Sequence, residues 1–249
     1  MKSTLYEDAE EYDKIANYKE DIKLWRNLTK GKDGILELCC GTGRIIESLL
    51  PYHKDITGID NSKKMLVVTE AKTKAFRNKV KLYKRNITRF NLKRTFNSIL
   101  LVNTSFGCLL TKSDVFKFQA CLKKHMTSDT EFILETTPKN IRKVFKFNVL
   151  TPIANFTDDA DGKTIEVYHK AENTSNEKVV KREMLYYKEN KLLGKKSLFV
   201  SIFEPSEIKN MFTKNGFYFT REYGGYNSEP YNSSSQKYIS VIKKNNLFA

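Results

Sequence analysis

Glu37 and Asp60 are two carboxylates separated by a glycine turn, an arrangement suited to recognising a nucleoside-like ligand. Ile35, Leu36 and Leu38 form a short apolar run, as in a buried strand. Gly41 and Gly43 follow where the chain must reverse, and Ile45, Ile46, Leu49 and Leu50 then recur at helical spacing up to Pro51. A first strand, a glycine turn and a helix are the parts from which an open α/β sheet builds its ligand crevice. Asp60 ends the next apolar segment, about twenty residues after the turn, where a carboxylate can accept both hydroxyls of a ribose. Arg44 to Glu47 supply no third glycine, so the fingerprint that draws a dinucleotide pyrophosphate onto a helix start is missing. Walker, zinc-protease and nucleophile-elbow patterns are absent as well.

These residues resemble the first motif of the class I S-adenosylmethionine (SAM)-dependent methyltransferases, and the resemblance continues in order over about the first 140 residues. The segments at 84–90, 99–107 and 131–136 are similar to that family's third-strand loop, fourth strand with active-site loop, and fifth strand. Cys39 stands where the family has its first glycine, a place that demands a small side chain. The resemblance implies SAM as cofactor and S-adenosyl-L-homocysteine as product. It implies contacts from Glu37, Leu38, Cys39, Gly41 and Thr42 along the turn, and from Asp60 at the ribose. Asn61 and Met65 would flank the adenine, with Asn86 and Ile87 beside it and Asn103 and Phe106 contributed by the fourth-strand loop. The amide oxygen of Asn86 would accept from the adenine amino group, as the family's Asp does.

The elements that must hold these residues follow from periodicity. Tyr12, Ile15, Tyr18, Ile22 and Trp25 recur at spacings of three and four, which predicts a helical lead-in over residues 6–28. Strand and helix then alternate, with helices expected over 62–78 and 113–125 and strands over 79–83, 96–103 and 130–136. After Pro138 the pattern changes to consecutive strand-like segments at 164–171, 179–188 and 198–204, and Pro205 starts a helix that Gly216 stops. Segments 217–223 and 237–243 finish the chain as sixth and seventh strands, the last antiparallel if the resemblance holds. The expected fold class is α/β: a Rossmann-like seven-stranded class I methyltransferase sheet with helices on both faces and an antiparallel β insertion after the fifth strand. The expected division is a helical lid at 1–30, a SAM-binding core at 31–137, a substrate-side insertion at 138–204 and a C-terminal completion of the core sheet at 205–249.

Composition bounds the function class. The 249 residues carry a net charge of +15, which invites a nucleic-acid partner, yet the Lys and Arg are scattered through 72–94, 139–146, 178–196 and 243–244 rather than gathered in one stripe. The amino terminus lacks the apolar core of a signal peptide, and no run approaches a membrane span, so a cytoplasmic protein without a membrane partner is expected. Cys39, Cys40, Cys108 and Cys121 show no paired spacing, so neither disulfide nor metal is expected.

The acceptor is narrowed by the fourth-strand loop. Asn103, Thr104, Ser105 and Phe106 lack the paired prolines of enzymes that methylate base amines, and Cys108 follows glycine instead of the proline or threonine of a cytosine C5 nucleophile. The loop is similar to that of small-molecule and natural-product N-methyltransferases, which also insert strands after the fifth. Those relatives fold amino-terminal helices over SAM and use a tyrosine there, which points to Tyr12 and then Tyr18. Asp158, Asp159 and Asp161 form an acidic island able to receive a guanidinium or ammonium group, and His169 is a candidate base on an insertion strand. A solvated loop and a structural histidine are the simpler accounts of both. A narrower likeness, resting on this branch, composition and acidic island, is to enzymes that dimethylate the terminal α-amine of plantazolicin-type azole peptides. The expected function is methyl transfer to an amine of a small molecule or modified peptide. RNA methylation through the basic surface, small-molecule O-methylation and SAM binding without catalysis stay open.

Overall fold

The computed structural model describes residues 4–5, 8–16, 18–138 and 147–245. The start of the expected lead-in helix at Tyr6 and the basic run at 139–146 lie outside the described residues. The core is one sheet of β1 (Ile35–Leu38), β2 (Ile56–Asp60), β3 (Val80–Lys84), β4 (Phe96–Leu101), β5 (Met126–Thr136), β10 (Phe217–Tyr223) and β11 (Tyr238–Lys244). Its order is β10-β11-β5-β4-β1-β2-β3, with β11 antiparallel to both neighbours and the remaining pairs parallel. Between β5 and β10 the chain forms a second, antiparallel sheet of β6 (Thr151–Thr157), β7 (Thr164–Asn173), β8 (Val179–Lys188) and β9 (Lys191–Ser201).

Alternation along the parallel strands explains why helices cover both faces. Leu36 and Leu38 of β1 join Ile99, Leu101, Phe132 and Leu134 in a core closed by α5 (Lys112–Lys123) and α6 (Pro205–Thr213) through Phe118 and Phe212. Ile35, Ile56, Leu100 and Ile133 point the other way, into a core closed by α2 (Ile22–Thr29) and α3 (Arg44–Leu49) through Trp25 and Leu49. Capping fixes where several helices begin. Thr111 and Asp114 form a capping box at α5, Glu204 and Glu207 another at α6, and Ser62 caps α4 (Lys63–Thr73).

The amino-terminal lead-in is two helices rather than one, α1 (Ala9–Ile15) and α2. The break is tertiary in origin, since no Pro or Gly marks it. Arg44 donates to the Tyr18 carbonyl at 2.8 Å and grips the buried Asp21 carboxylate with both guanidinium nitrogens at 2.7 and 2.8 Å. Asp21 also accepts from Trp25 Nε1 at 2.8 Å, so one carboxylate seats the start of α2 on α3. Tyr12 and Ile15 of α1 instead pack with Val167, Met184, Tyr186 and Leu198 on the inner face of the inserted sheet. Among the described residues no helix is long and apolar enough to cross a membrane.

Candidate active site

Strand order reverses at β1, whose neighbours are β2 on one side and β4 on the other, and a crevice opens at the carboxyl ends of the strands at such a point. The chain leaves β1 through Cys39, Gly41 and Gly43, all in the left-handed region at φ 54°, 56° and 81°. Gly43 has no substitute, because a Cβ there would stand 2.5 Å from Thr69 Cγ2 on α4. Thr69 itself donates to the Gly41 carbonyl at 2.7 Å, which locks the turn against that helix. Asp60, at the end of β2, clamps the turn from the other side. Its Oδ2 accepts from Gly41 N at 2.9 Å and its Oδ1 from Ser62 N at 2.8 Å.

An open cleft of about 740 Å3 lies above this turn. Common ligand pockets hold roughly 300–1,000 Å3, so the cleft has the size of an ordinary ligand site. Of the residues expected at the cofactor, Glu37, Cys39, Gly41, Thr42, Asp60, Asn61, Met65, Asn86, Ile87 and Asn103 line it, and so does Tyr12. Two are turned elsewhere. Leu38 falls on the opposite side of the strand from Glu37 and is buried in the core, and Phe106 is rotated inward by a 3-10 turn (Ser105–Cys108) to pack on Phe203 and Phe212 at 6.0 and 6.2 Å. Asn86 is in the cleft with a different bonding pattern from the one expected. Its Oδ1 accepts from Thr88 N and Thr88 Oγ1, both at 2.8 Å, so its lone pairs serve its own loop.

The four residues expected to act on the acceptor separate in space. Tyr12 alone reaches the cleft wall, where its hydroxyl accepts from Asn103 Nδ2 at 3.5 Å. Tyr18 sits behind that wall, with its ring 4.1 Å from the Arg44 guanidinium and its hydroxyl donating to Asn103 Oδ1. Asp161 lies in the β6–β7 turn, bound to Lys188 at 2.9 Å, and the same lysine holds Asp158 at 2.8 Å. Asp159 pairs with Lys14 at 2.7 Å, so the acidic island is neutralised by lysines and borders a separate surface recess. His169 is a buried residue of β7 within the inserted sheet, where its Nε2 accepts from Arg182 Nε at 2.9 Å. Burial and the neighbouring guanidinium push its pKa down to about 4, so it is neutral and lies away from the cleft lining.

Electrostatics single out Glu37. It is 4% exposed, and burial pushes its carboxyl up to about 8 against the opposing pull of Arg44 and a backbone hydrogen bond from Ile46. Its Oε2 is buried without a hydrogen-bond partner among the described residues. A buried carboxylate oxygen in that state calls for a cation or a donor from a ligand. Asp60 is raised in the same direction by burial, offset by its backbone hydrogen bonds. The Tyr12 phenol is raised by burial too and stays protonated.

Sequence reasoning missed Arg44, Arg85, Ser105, Cys108, Asp114 and Phe199 in the lining. Arg44 had a local signal, since it follows the glycine turn directly. Phe199 had none, because it arrives from a strand 150 residues downstream. Helix α1 brings Tyr12 to the cleft and is tied to the glycine turn, to α4 and to β9. Its Asp13 takes the Thr42 hydroxyl and pairs with Lys72, and its Glu11 pairs with Lys196 of β9 at 2.6 Å. No cluster of three or more metal-ligating side chains is present among the described residues.

Comparisons with known proteins agree with this geometry. Residues 35–128 match a family model described as a methyltransferase domain. A protein of Geobacillus sp. (strain WCH70) that carries the name of a methyltransferase is 27% identical over 113 residues, a match covering 42% of this chain and 45% of that relative's length. The chain resembles the CcbJ methyltransferase of Streptomyces caelestis at a TM-score of 0.82 and 15% identity, over 98% of this chain and 100% of that one. A SAM-dependent methyltransferase of Clostridium acetobutylicum ATCC 824 gives 0.79 and 18%, over 95% and 97% of the two chains. SAM-bound CalS10, an amino pentose methyltransferase of Micromonospora echinaspora, gives 0.72 and 15%, over 98% of each chain. At these identities the solved structures establish the fold, whose antiparallel last strand agrees with the sequence expectation. Residues 35–128 of this chain thus match a methyltransferase domain, and the chain as a whole has the fold seen in SAM-dependent methyltransferase structures.

Proposed function

We propose that this protein is a SAM-dependent methyltransferase acting on an amine of a small molecule or modified peptide. The observation that carries the cofactor is the orphaned Oε2 of Glu37 beside the Asp60-clamped turn in one cleft. A methionine ammonium matches the first group and ribose hydroxyls match the second. When bound, SAM supplies a methyl on a sulfonium and leaves as S-adenosyl-L-homocysteine. The remaining work falls to the chain: Glu37 and Asp60 orient the two ends of the donor, Met65 and Ile87 offer apolar walls to the adenine, and α1 shields the cleft from water.

Displacement at a sulfonium asks mainly for alignment, so Tyr12 serves as a protonated wall group and not as a base. The acceptor amine enters past Leu110, Leu198 and Phe199, which favours a body with apolar surface. The azole-peptide reading loses its support, since Asp158, Asp159 and Asp161 are already paired with Lys188 and Lys14. The structural neighbour CalS10, an amino pentose methyltransferase, favours an amine acceptor.

Calorimetric titration with S-adenosyl-L-homocysteine tests the cofactor, and isotope transfer from methyl-labelled SAM to panels of amines, phenols and RNA tests the acceptor. Heat of binding with label in an amine supports the proposal. Label confined to RNA, with salt-sensitive RNA retention, would move the assignment to the basic surface. Absence of binding heat would remove the cofactor reading.

A further inference from the structure

Glu135 sits near the carboxyl end of β5, fully buried, and three separate segments converge on its carboxylate. Its Oε2 accepts from the backbone N–H of Asn103 at 2.6 Å. Its Oε1 accepts from the Tyr226 hydroxyl at 2.7 Å and from Lys237 Nζ at 3.1 Å. One cation and two further donors therefore satisfy a carboxylate that would otherwise be untenable in the interior. The Tyr226 ring also stands edge-on to Trp25 of α2 at 5.9 Å and under Lys237 Nζ at 5.2 Å.

The partner that matters for the site is Asn103. Asn103 and Thr104 are consecutive left-handed residues, φ 56° and 58°, an uncommon backbone for residues that carry a Cβ. A short, charge-assisted bond to the Asn103 N–H holds the first of them at the cleft rim. With the backbone fixed, the Asn103 amide takes the Tyr18 hydroxyl on its oxygen and offers its nitrogen to Tyr12. The order of contact runs from the loop at 224–235 through Tyr226 and Glu135 to Asn103, and from there to the cleft wall.

We propose that Glu135 is a positioning residue, held by Tyr226 and Lys237, that sets Asn103 and through it Tyr12 against the bound donor. This rests on the cofactor reading given above. Glu135 touches no ligand itself, and it lies outside the cleft lining. The arrangement also makes the loop at 224–235 part of the binding apparatus, although it approaches the site only through this carboxylate.

The test uses the full chain with S-adenosyl-L-homocysteine as probe, in Glu135→Gln and Tyr226→Phe variants. Gln cannot accept at both ends, so Glu135→Gln is expected to weaken binding about tenfold, and Tyr226→Phe a few-fold because Lys237 still holds the carboxylate. The nitrogen-15 spectrum gives a second readout. The Asn103 amide proton, deshielded by a short bond to a carboxylate, moves upfield in Glu135→Gln, and the Tyr12 signals shift with it. Phe217→Leu, a core variant remote from the cleft, supplies the control for lost stability: it should lower the melting temperature without weakening binding.

Wild-type affinity in both variants, with an unmoved Asn103 amide, would overturn the proposal and leave Glu135 a purely structural group. If Glu135→Gln does not fold, Tyr226→Phe decides alone. If the wild-type chain gives no heat with the probe, the cofactor reading fails, and the Asn103 and Tyr12 shifts still report whether Glu135 sets their positions.

Discussion

Binding of the donor should expel a proton from Glu37, and the size of that effect follows from its surroundings. Burial raises the carboxyl to about 8. At pH 7 about nine tenths of the molecules therefore carry it protonated, the pKa lying roughly one unit above the pH. An ammonium placed at the unpartnered Oε2 favours the ionised form, so close to one proton should leave on binding. Affinity should then rise about tenfold between pH 6.5 and 7.5, or about 1.4 kcal/mol, and flatten above pH 8. Calorimetry with S-adenosyl-L-homocysteine in two buffers of different ionisation enthalpy measures the released protons directly. Glu37→Gln should abolish the release, flatten the pH dependence and bind more weakly than wild type at pH 8. The same shift acts on stability. A carboxyl whose pKa is raised on folding gives a contribution fully present below the unfolded value near 4.5 and lost as pH climbs to about 8, at about 1.4 kcal/mol per unit. Glu37→Gln should thus unfold at a higher temperature than wild type at pH 8 and lose that advantage near pH 5. Equal heats in the two buffers at pH 7 would refute the reasoning, because Glu37 would then be either ionised beforehand or remote from the ammonium.

Other consequences can be checked with the same probe. Asp60→Asn removes charge from the group that accepts from Gly41 and Ser62, and should weaken S-adenosyl-L-homocysteine by about 1–3 kcal/mol in titration; undiminished affinity would detach Asp60 from the ribose. Cys39 is left-handed at φ 54°, so Cys39→Gly should stay within about 1 kcal/mol of wild type in chemical denaturation, whereas β-branched Cys39→Val should lose about 2 kcal/mol. Comparable stability for Gly and Val would show that the turn is not strained there. His169→Gln should leave the pH profile of methyl transfer unchanged between pH 6 and 8, because the imidazole is neutral throughout that range; loss of a limb of the profile would return His169 to the reaction.

The parallel core was legible because its inner strands β1, β2 and β4 are buried almost throughout and so read as apolar runs, and because Ser62, Thr111 and Pro205 mark helix starts with local chemistry. The inserted sheet was less so. Its first strand, β6, carries Pro152 and Asn155 at a sheet edge and shows mostly exposed side chains, which gives no alternation to read. The β8–β9 hairpin turns at Glu189 and Asn190, both at positive φ, where the usual signal is Asn followed by Gly. Without that signal the first half of β9, residues 191–197, was missed, and although Phe199 fell within the expected strand at 198–204, nothing local pointed to its place in the cleft.

The site divides along the same line. Glu37 and Asp60 could be paired from sequence because each ends a strand beside the turn that the ligand uses, so spacing alone carries their geometry. Tyr12, Asn103 and Glu135 meet across separations of 91 and 32 residues, and no periodicity encodes such a meeting. Phe106 shows the converse: its place in the loop was read correctly, but a single 3-10 turn decides which face of that loop points to the ligand, and burial of an aromatic ring between Phe203 and Phe212 decided it toward the core. The donor half of the cleft is therefore written locally in one strand-turn-helix unit, while the acceptor half is assembled from α1, the fourth-strand loop and β9. Altered acceptor choice should accordingly arise from changes at Leu198 and Phe199 with little effect on S-adenosyl-L-homocysteine binding, as these side chains line the cleft from the inserted sheet and share no hydrogen bond with the glycine turn.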